Sequence, residues 1–108
     1  MAEATPGAEP SQDQIAALTG PVLLEFGTSW CGHCAAAQPL IAAALDGHPR
    51  VRRIKVEDGP GRRLGRQFRV KLWPTLVFLR DGQEQVRLVR PQDMESIVRA
   101  LTDLGTAP

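Results

Sequence analysis

The chain has 108 residues, of which 43% are hydrophobic and 23% charged, and its formal net charge is +1. This length and balance predict one folded domain, and the near-zero charge gives no reason to expect nucleic acid as a partner. No apolar run approaches the roughly 18 residues of a membrane span, and residues 1–7 lack the apolar stretch of a secretory signal, so we expect no membrane partner and a cytoplasmic location. The basic residues are nearly all arginine, which suggests a GC-rich bacterial genome.

The N-terminal part of the chain predicts a disordered lead followed by a short helix. Residues 1–10 contain two prolines and no large apolar residue after the first, a composition that does not form a packed core. Ser11 and Gln14 have the spacing of a capping box, which predicts a helix start. Gly20 and Pro21 then end that helix.

The first confident strand is residues 22–26, which are apolar on both faces except at Glu25. Such a pattern is typical of a central strand. A helix rich in alanine is predicted over residues 35–45, with Pro39 interrupting its hydrogen-bond ladder.

Five further elements are predicted in the rest of the chain. They are a strand at 51–56, a short helix at 62–68, strands at 76–79 and 86–89 joined by a type I′ turn at Asp81-Gly82, and a final helix with Pro91 in its first turn. The order α-β-α-β-α-β-β-α, with parallel crossovers first and an antiparallel hairpin last, predicts an α/β fold. We expect a central mixed sheet of four or five strands, flanked on both faces by about four helices.

Both cysteines of the chain, Cys31 and Cys34, lie two residues apart at the predicted junction of strand and helix. A cysteine at a helix N-terminus faces unpaired backbone N–H groups and the positive end of the helix dipole, and both lower its pKa. We therefore predict that Cys31 is the attacking thiolate. Cys34 lies on the same helical face and is placed to resolve a mixed disulfide.

His33 lies between the cysteines, where its imidazole could donate to the Cys31 thiolate or pair with it. Stabilising that thiolate stabilises the dithiol, so the disulfide becomes a stronger oxidant. The sequence thus predicts a comparatively oxidising couple.

Glu25 and the segment Trp73-Pro74-Thr75 are the other candidate site residues. An ionised acid is costly to bury in an apolar strand, so Glu25 is either a proton acceptor beneath the cysteines or a residue at a solvated strand end. Pro74 cannot lie within a central ladder and belongs at the start of the following strand, where a cis bond is plausible. Trp30 is expected at the rim of the site, whereas Trp73 is either at the rim or in the core.

Metal binding is the main alternative for the cysteine pair. A tetrahedral zinc site needs four ligands, and the chain offers only Cys31, Cys34, His33 and His48. His33 lies inside the spacer, and His48 is predicted to be an exposed turn residue beyond the far helix end, so we expect no metal. The arginines at 62, 63, 66 and 69 are read as the solvated face of the short helix, with a patch for an acidic partner as the alternative.

Taken together, these motifs resemble the thioredoxin superfamily over roughly residues 11–104. The Cys-Gly-His-Cys sequence and Glu25 are similar to a protein disulfide isomerase catalytic domain, whereas bacterial thioredoxins usually carry Cys-Gly-Pro-Cys and an aspartate. Trp73-Pro74-Thr75 matches the family's cis-proline loop, which packs beside the disulfide and binds extended substrate backbone.

The resemblance implies a thioredoxin fold and a role for each site residue. Cys31 would be the nucleophile, Cys34 the resolving thiol and Glu25 the buried proton acceptor, with no cofactor besides the cysteine pair. We assign substrate contact to the residues beside the cysteines and the proline: Trp30, Gly32, Trp73, Pro74 and Thr75.

Four positions depart from the family pattern. Gly27 replaces a common aromatic residue, Ala35 a common basic residue, and Arg90 a glycine of the partner-docking loop. Arg53 falls where thioredoxins have a buried lysine, and it is either a replacement ion partner for Glu25 or an exposed charge. These departures put recognition by a standard thioredoxin reductase in doubt.

The function predicted from the sequence is that of a monomeric thiol–disulfide oxidoreductase acting on protein disulfide or thiol substrates. An unidentified reductase or oxidant would be its second partner. The alternative is a non-enzymatic chaperone or assembly module with the same fold. We place the domain at residues 11–104, with a flexible tail at 105–108.

Overall fold

A computed structural model describes residues 9–105 of the chain. Its elements are, in chain order, α1 (Gln12–Ala16), β1 (Pro21–Gly27), α2 (Gly32–Asp46), β2 (Arg52–Glu57), α3 (Leu64–Gln67), β3 (Thr75–Arg80), β4 (Gln83–Val89) and α4 (Met94–Asp103). The predicted order of helices and strands and the mixed sheet are confirmed. None of the helices in this part of the chain is long and apolar enough to cross a membrane.

The four strands form one sheet in the order β2-β1-β3-β4. β1 and β2 are parallel, whereas β3 is antiparallel to both β1 and β4. The expected parallel crossover after β2 is therefore wrong. The chain leaves β2 and enters β3 at the same end of the sheet, because Glu57 pairs with Gly27 and Thr75 pairs with Phe26.

That shared end of the sheet is also where β1 gives way to α2. It gathers the segment around Cys31, the start of β3 and the end of β4, since Val89 pairs with Thr75. Segments far apart in the chain thus meet at one end of the sheet.

The sheet separates two apolar cores, and the two-residue period of the strands decides which side chains enter each. Leu23, Leu76 and Phe78 face α2 and α4. Leu24, Phe26 and Val77 face the opposite way, toward α1 and α3. Glu25 alternates with Leu24 and Phe26, and this places its carboxylate beneath α2.

Two helix starts differ from the prediction. α4 begins at Met94 and is capped by Asp93, whose carboxylate accepts from the Ser96 N–H, so Pro91 lies outside the helix. α3 is a single turn, and Arg62 lies before its start. Aspartate is a strong N-cap and outcompetes the weaker preference of proline for the first turn.

The other local signals are confirmed. Ser11 forms the capping box with Gln14, and Asp81 and Gly82 both have the positive φ of a type I′ turn. Helix α2 runs through Pro39 without a break. Of the four arginines near α3, Arg63, Arg66 and Arg69 are exposed, whereas Arg62 is half-buried and donates to the Glu57 carbonyl.

Most of the predicted N-terminal lead lies outside the described residues. Residues 106–108 of the predicted tail lie outside them as well. The last two residues of the lead make defined contacts. Pro10 is buried, and the Glu9 carboxylate accepts from the Arg63 N–H at 2.9 Å. The packed region thus extends to Glu9, two residues before the predicted boundary. The disorder predicted for the rest of the lead stays a prediction.

Candidate active site

The strand–helix junction places Cys31 at the N-cap of α2. Its sulfur accepts a hydrogen bond from the Cys34 N–H at 3.1 Å, so it takes the place that a serine or aspartate oxygen takes in other helices. The same Sγ lies 3.9 Å from the Trp73 carbonyl oxygen. Both cysteines are free thiols, Cys31 partly exposed and Cys34 buried.

The two thiols have opposite pKa shifts. Burial by itself would raise the pKa of Cys31, but hydrogen bonds from Cys34 and from the His33 backbone, together with the Arg90 charge, lower it below its ordinary 9.0. Burial raises the pKa of Cys34 to about 11, aided by the hydrogen bond with Cys31 and the negative charge of Glu25. These shifts favour the thiolate at Cys31 and the protonated thiol at Cys34.

This difference predicts unequal alkylation of the reduced protein. At neutral pH, iodoacetamide should modify Cys31 at least tenfold faster than Cys34, because only the thiolate reacts. As the pH rises, the midpoint of the increase in the Cys31 rate should lie below pH 9.0, whereas the Cys34 rate should still climb near pH 11. Mass spectrometry of the modified peptides measures both rates, and equal rates would contradict the assignment.

Gly27 lets the chain pass directly beside the buried thiol. A Cβ at this position would lie 2.7 Å from the Cys34 sulfur, closer than real Cβ atoms approach. The absent side chain also opens a cavity of about 360 Å³, whose lining includes Cys31, Cys34, Glu25 and Gln38. The cavity connects the buried thiol with the buried carboxylate.

Replacing Gly27 by Ala is expected to destabilise the reduced protein by about 1–3 kcal/mol, the usual cost of overpacking. The matched control is Gly32→Ala, since a Cβ there meets nothing within 4 Å and alanine favours the helix. Urea unfolding under reducing conditions measures the free energy of unfolding of both variants. A Gly27→Ala protein as stable as Gly32→Ala would show that Cys34 moves aside at no cost.

Glu25 is buried, but it has partners. Its Oε1 accepts from Arg53 Nε at 2.9 Å and lies 2.7 Å from Arg53 Nη2, and its Oε2 accepts from Gln38 Nε2 at 2.8 Å. Gln38 also accepts from Arg53 and donates to the Cys34 carbonyl. Arg53 is therefore the ion partner of Glu25, and the reading of Glu25 as a residue at a solvated strand end is wrong.

The cis-proline loop lies on the other side of Cys31. The Trp73–Pro74 bond is cis, as the resemblance implied. The Trp73 indole donates to the Asp58 carboxylate at 2.8 Å and packs edge-on against Trp30, with ring centres 5.5 Å apart. Trp30 is 72% exposed, so the two rings form a rim beside the reactive thiol.

The remaining predicted site residues differ in accessibility. Gly32 and His33 are exposed at the start of α2. Thr75 is buried, and its hydroxyl donates to the Leu72 carbonyl, so its predicted role in substrate contact rests on the backbone. Within residues 9–105 the His33 imidazole makes no hydrogen bond to a cysteine sulfur, and its predicted effect on the redox couple stays a prediction.

Sequence reasoning missed Gln38 and Asp58 and misplaced His48. Gln38 follows Cys34 by four residues on one helix face, a spacing that could have indicated a contact. Asp58 carries no such signal, because its contact with Trp73 spans a loop. His48 is only 4% exposed, so the prediction of an exposed turn residue is wrong: the segment folds back beneath the end of α2, where the His48 N–H donates to Leu45.

Metal coordination finds no support in this geometry. Across residues 9–105, no three side chains of His, Cys, Asp and Glu come together in an arrangement that could hold a metal ion.

Comparison with known proteins decides the family. A family model described as Thioredoxin matches residues 7–103. The chain belongs to the thioredoxin family. Thioredoxin from Chlamydia trachomatis is 33% identical over 83% of this chain and 86% of its own length, and that from Chlamydia muridarum is 34% identical over 85% and 92%.

A solved structure gives the same result at higher identity. Thioredoxin 2 from Pseudomonas aeruginosa, in its reduced form, is 56% identical, with a TM-score of 0.81 over 96% of this chain and 92% of that one. The thioredoxin fold and the activity of a protein-disulfide oxidoreductase follow from membership and from the cysteine pair. These relatives do not favour the non-enzymatic alternative.

Proposed function

We propose that this thioredoxin exchanges disulfides with client proteins through a mixed disulfide on Cys31. The Cys31 thiolate attacks one sulfur of a client disulfide, whose S–S bond breaks and whose other sulfur leaves as a thiolate. Cys34 then loses its proton and attacks the Cys31 sulfur, which releases the second client thiolate and leaves the Cys31–Cys34 disulfide. The observation that carries this proposal is the N-cap position of Cys31, with the Cys34 N–H 3.1 Å from its sulfur.

The second step needs a base, because burial, the largest cause of the raised Cys34 pKa, persists when Cys31 is bonded to a client and favours the protonated thiol. Glu25 lines the same cavity as Cys34 and is the acceptor that we propose. Arg53 pairs with this carboxylate, and Gln38 joins it to the Cys34 carbonyl by donating to both. Clients would lie along Trp30, Gly32 and the Trp73-Pro74 loop.

We further propose that the protein acts as a monomer in the cytoplasm, where it reduces clients and is itself regenerated by a reductase. The Cys-Gly-His-Cys sequence supports a potential less negative than that of a thioredoxin with proline in the spacer.

Measurement of the redox potential tests the predicted effect of His33. Replacing His33 by Pro is expected to lower the potential by about 30 mV or more, since 30 mV corresponds to about 1.4 kcal/mol of preference for the dithiol. Equilibration with glutathione buffers, followed by alkylation of free thiols, measures it. The variant His33→Ala removes the imidazole without introducing a proline. A redox potential that is unchanged in both variants would contradict the role of His33.

A further inference from the structure

Arg90 is a cation at the edge of the active site. It is half-buried, and its Nε donates to the Trp73 carbonyl oxygen at 2.9 Å. Within residues 9–105 no carboxylate lies at ion-pair distance from it. The terminal N–H groups carry most of the hydrogen-bonding capacity of a guanidinium, and among residues 9–105 no acceptor is found for them.

The backbone at Arg90 is also unusual, since its φ is +50°. The left-handed region is unfavourable for a residue with a Cβ, and such strain is found mainly at functional sites. The Arg90 N–H donates to the Pro74 carbonyl at 3.0 Å. This contact and the one to Trp73 fix the guanidinium against the cis-proline loop.

The carbonyl of Trp73 joins Arg90 to the reactive thiol, because both Arg90 Nε and Cys31 Sγ contact that one oxygen. In the reduced protein the positive charge of Arg90 favours the Cys31 thiolate electrostatically. When a client sulfur bonds to Cys31, that negative charge disappears. The cation then has no counter-ion in the described part of the protein at the stage when the client is bound.

A cavity of about 420 Å³ lies beside Arg90, between the first turns of α2 and the segment that follows β4. His33, Arg90 and Gln92 supply its polar lining, and Ala36, Ala37 and Leu40 supply its apolar lining. A site that combines apolar side chains with the Arg90 guanidinium is complementary to the methylenes and carboxylate of an acidic side chain.

We propose that Arg90 and this cavity bind a glutamate or aspartate side chain of the client, close in sequence to the cysteine that is joined to Cys31. This inference rests on the proposed mixed-disulfide mechanism and adds a preference for acidic clients. The client carboxylate takes over the role of counter-ion from the thiolate, so that it stabilises the mixed disulfide and the encounter that leads to it.

Synthetic peptides with one cysteine, activated as a neutral thiopyridyl disulfide, test the preference. Attack by Cys31 on the peptide sulfur releases pyridinethione, which is followed by its absorbance, and leaves the peptide bound to Cys31. Peptides that differ only in Glu, Gln or Lys next to the cysteine are compared. At low salt the Glu peptide should react about five- to tenfold faster than the Gln peptide, as expected for a partly solvated charge-assisted hydrogen bond.

The readout is the ratio of the Glu rate to the Gln rate, which cancels any effect of a variant on the reactivity of Cys31 itself. Arg90→Gln should bring this ratio to within twofold of one, whereas Arg90→Lys should keep part of it. The control Arg66→Gln removes the same charge from the exposed helix α3 and should leave the ratio unchanged.

Three outcomes would overturn the inference. The wild-type ratio could be one, the ratio could survive Arg90→Gln in a variant with the native circular-dichroism spectrum, or Arg66→Gln could lower it as much. In each of these cases the Gln peptide still reacts, so the proposed function stands. If no peptide reacts with the wild-type protein, the mixed-disulfide mechanism fails and this inference fails with it.

Discussion

Replacing Cys31 by Ser is expected to abolish the reduction of insulin disulfides coupled to dithiothreitol, leaving only the uncatalysed rate. The serine hydroxyl is not ionised at neutral pH and cannot form a disulfide, so the first bond of the exchange is never made. Serine is a strong N-cap, and the variant should keep helix α2 and the fold. The turbidity of precipitating insulin chains measures the rate.

Cys34→Ser is the matched control for this experiment. The variant retains the attacking thiolate, so without dithiothreitol it should form the mixed disulfide with oxidised insulin and then stop. Mass spectrometry should find one client chain attached to Cys31 for each protein molecule. Catalysis that persists in the Cys31→Ser variant, or a client chain attached at Cys34 in the wild-type protein, would contradict the assignment of the two cysteines.

Replacing Arg53 by Met is expected to lower the free energy of unfolding by about 3 kcal/mol at pH 7. The change removes the ion partner of the Glu25 carboxylate, and Glu25 is only 5% exposed. A buried charge that has lost its partner is strongly destabilising. Gln38 loses its bond from Arg53 as well. The midpoint and slope of urea unfolding give the change in free energy.

Two further variants make this result specific. Arg87→Met breaks an exposed pair with Glu84 and should cost less than about 1 kcal/mol. The double variant Glu25→Leu, Arg53→Met removes both charges and should recover most of the stability, while the resolving step slows for lack of a base. If Arg53→Met costs no more than Arg87→Met, the ion pair at Glu25 does not hold a buried charge in place.

Signals carried by short segments predicted their structures correctly. Three such signals are the capping box at Ser11, the apolar strand before the cysteines and the Asp81-Gly82 turn. Each depends on neighbours a few residues apart, so it can be predicted from the local sequence alone. The N-cap position of Cys31 follows in the same way from a strand that runs into a helix. The prediction failed at Pro91, where Asp93 offered the stronger local signal.

Contacts between distant segments were harder to predict, because they depend on strand order and direction. Once β3 runs antiparallel to β1, the Trp73-Pro74 loop must lie at the end of the sheet that carries Cys31. The sequence suggested this neighbourhood only through resemblance to a family. His48 shows the same limit, since its burial depends on how the chain folds back after α2.

The sequence by itself determined the chemistry of this protein: two thiols at a helix N-terminus, an acid within an apolar strand and a proline at a strand entry. The tertiary structure decided how those groups are tuned. It joined Glu25 to Arg53 and Gln38, cleared space beside Cys34 at Gly27, and brought Arg90 to the carbonyl that Cys31 also contacts. The physical reason is that a charge or a cavity acts through distances in space, which chain folding sets and residue spacing alone does not.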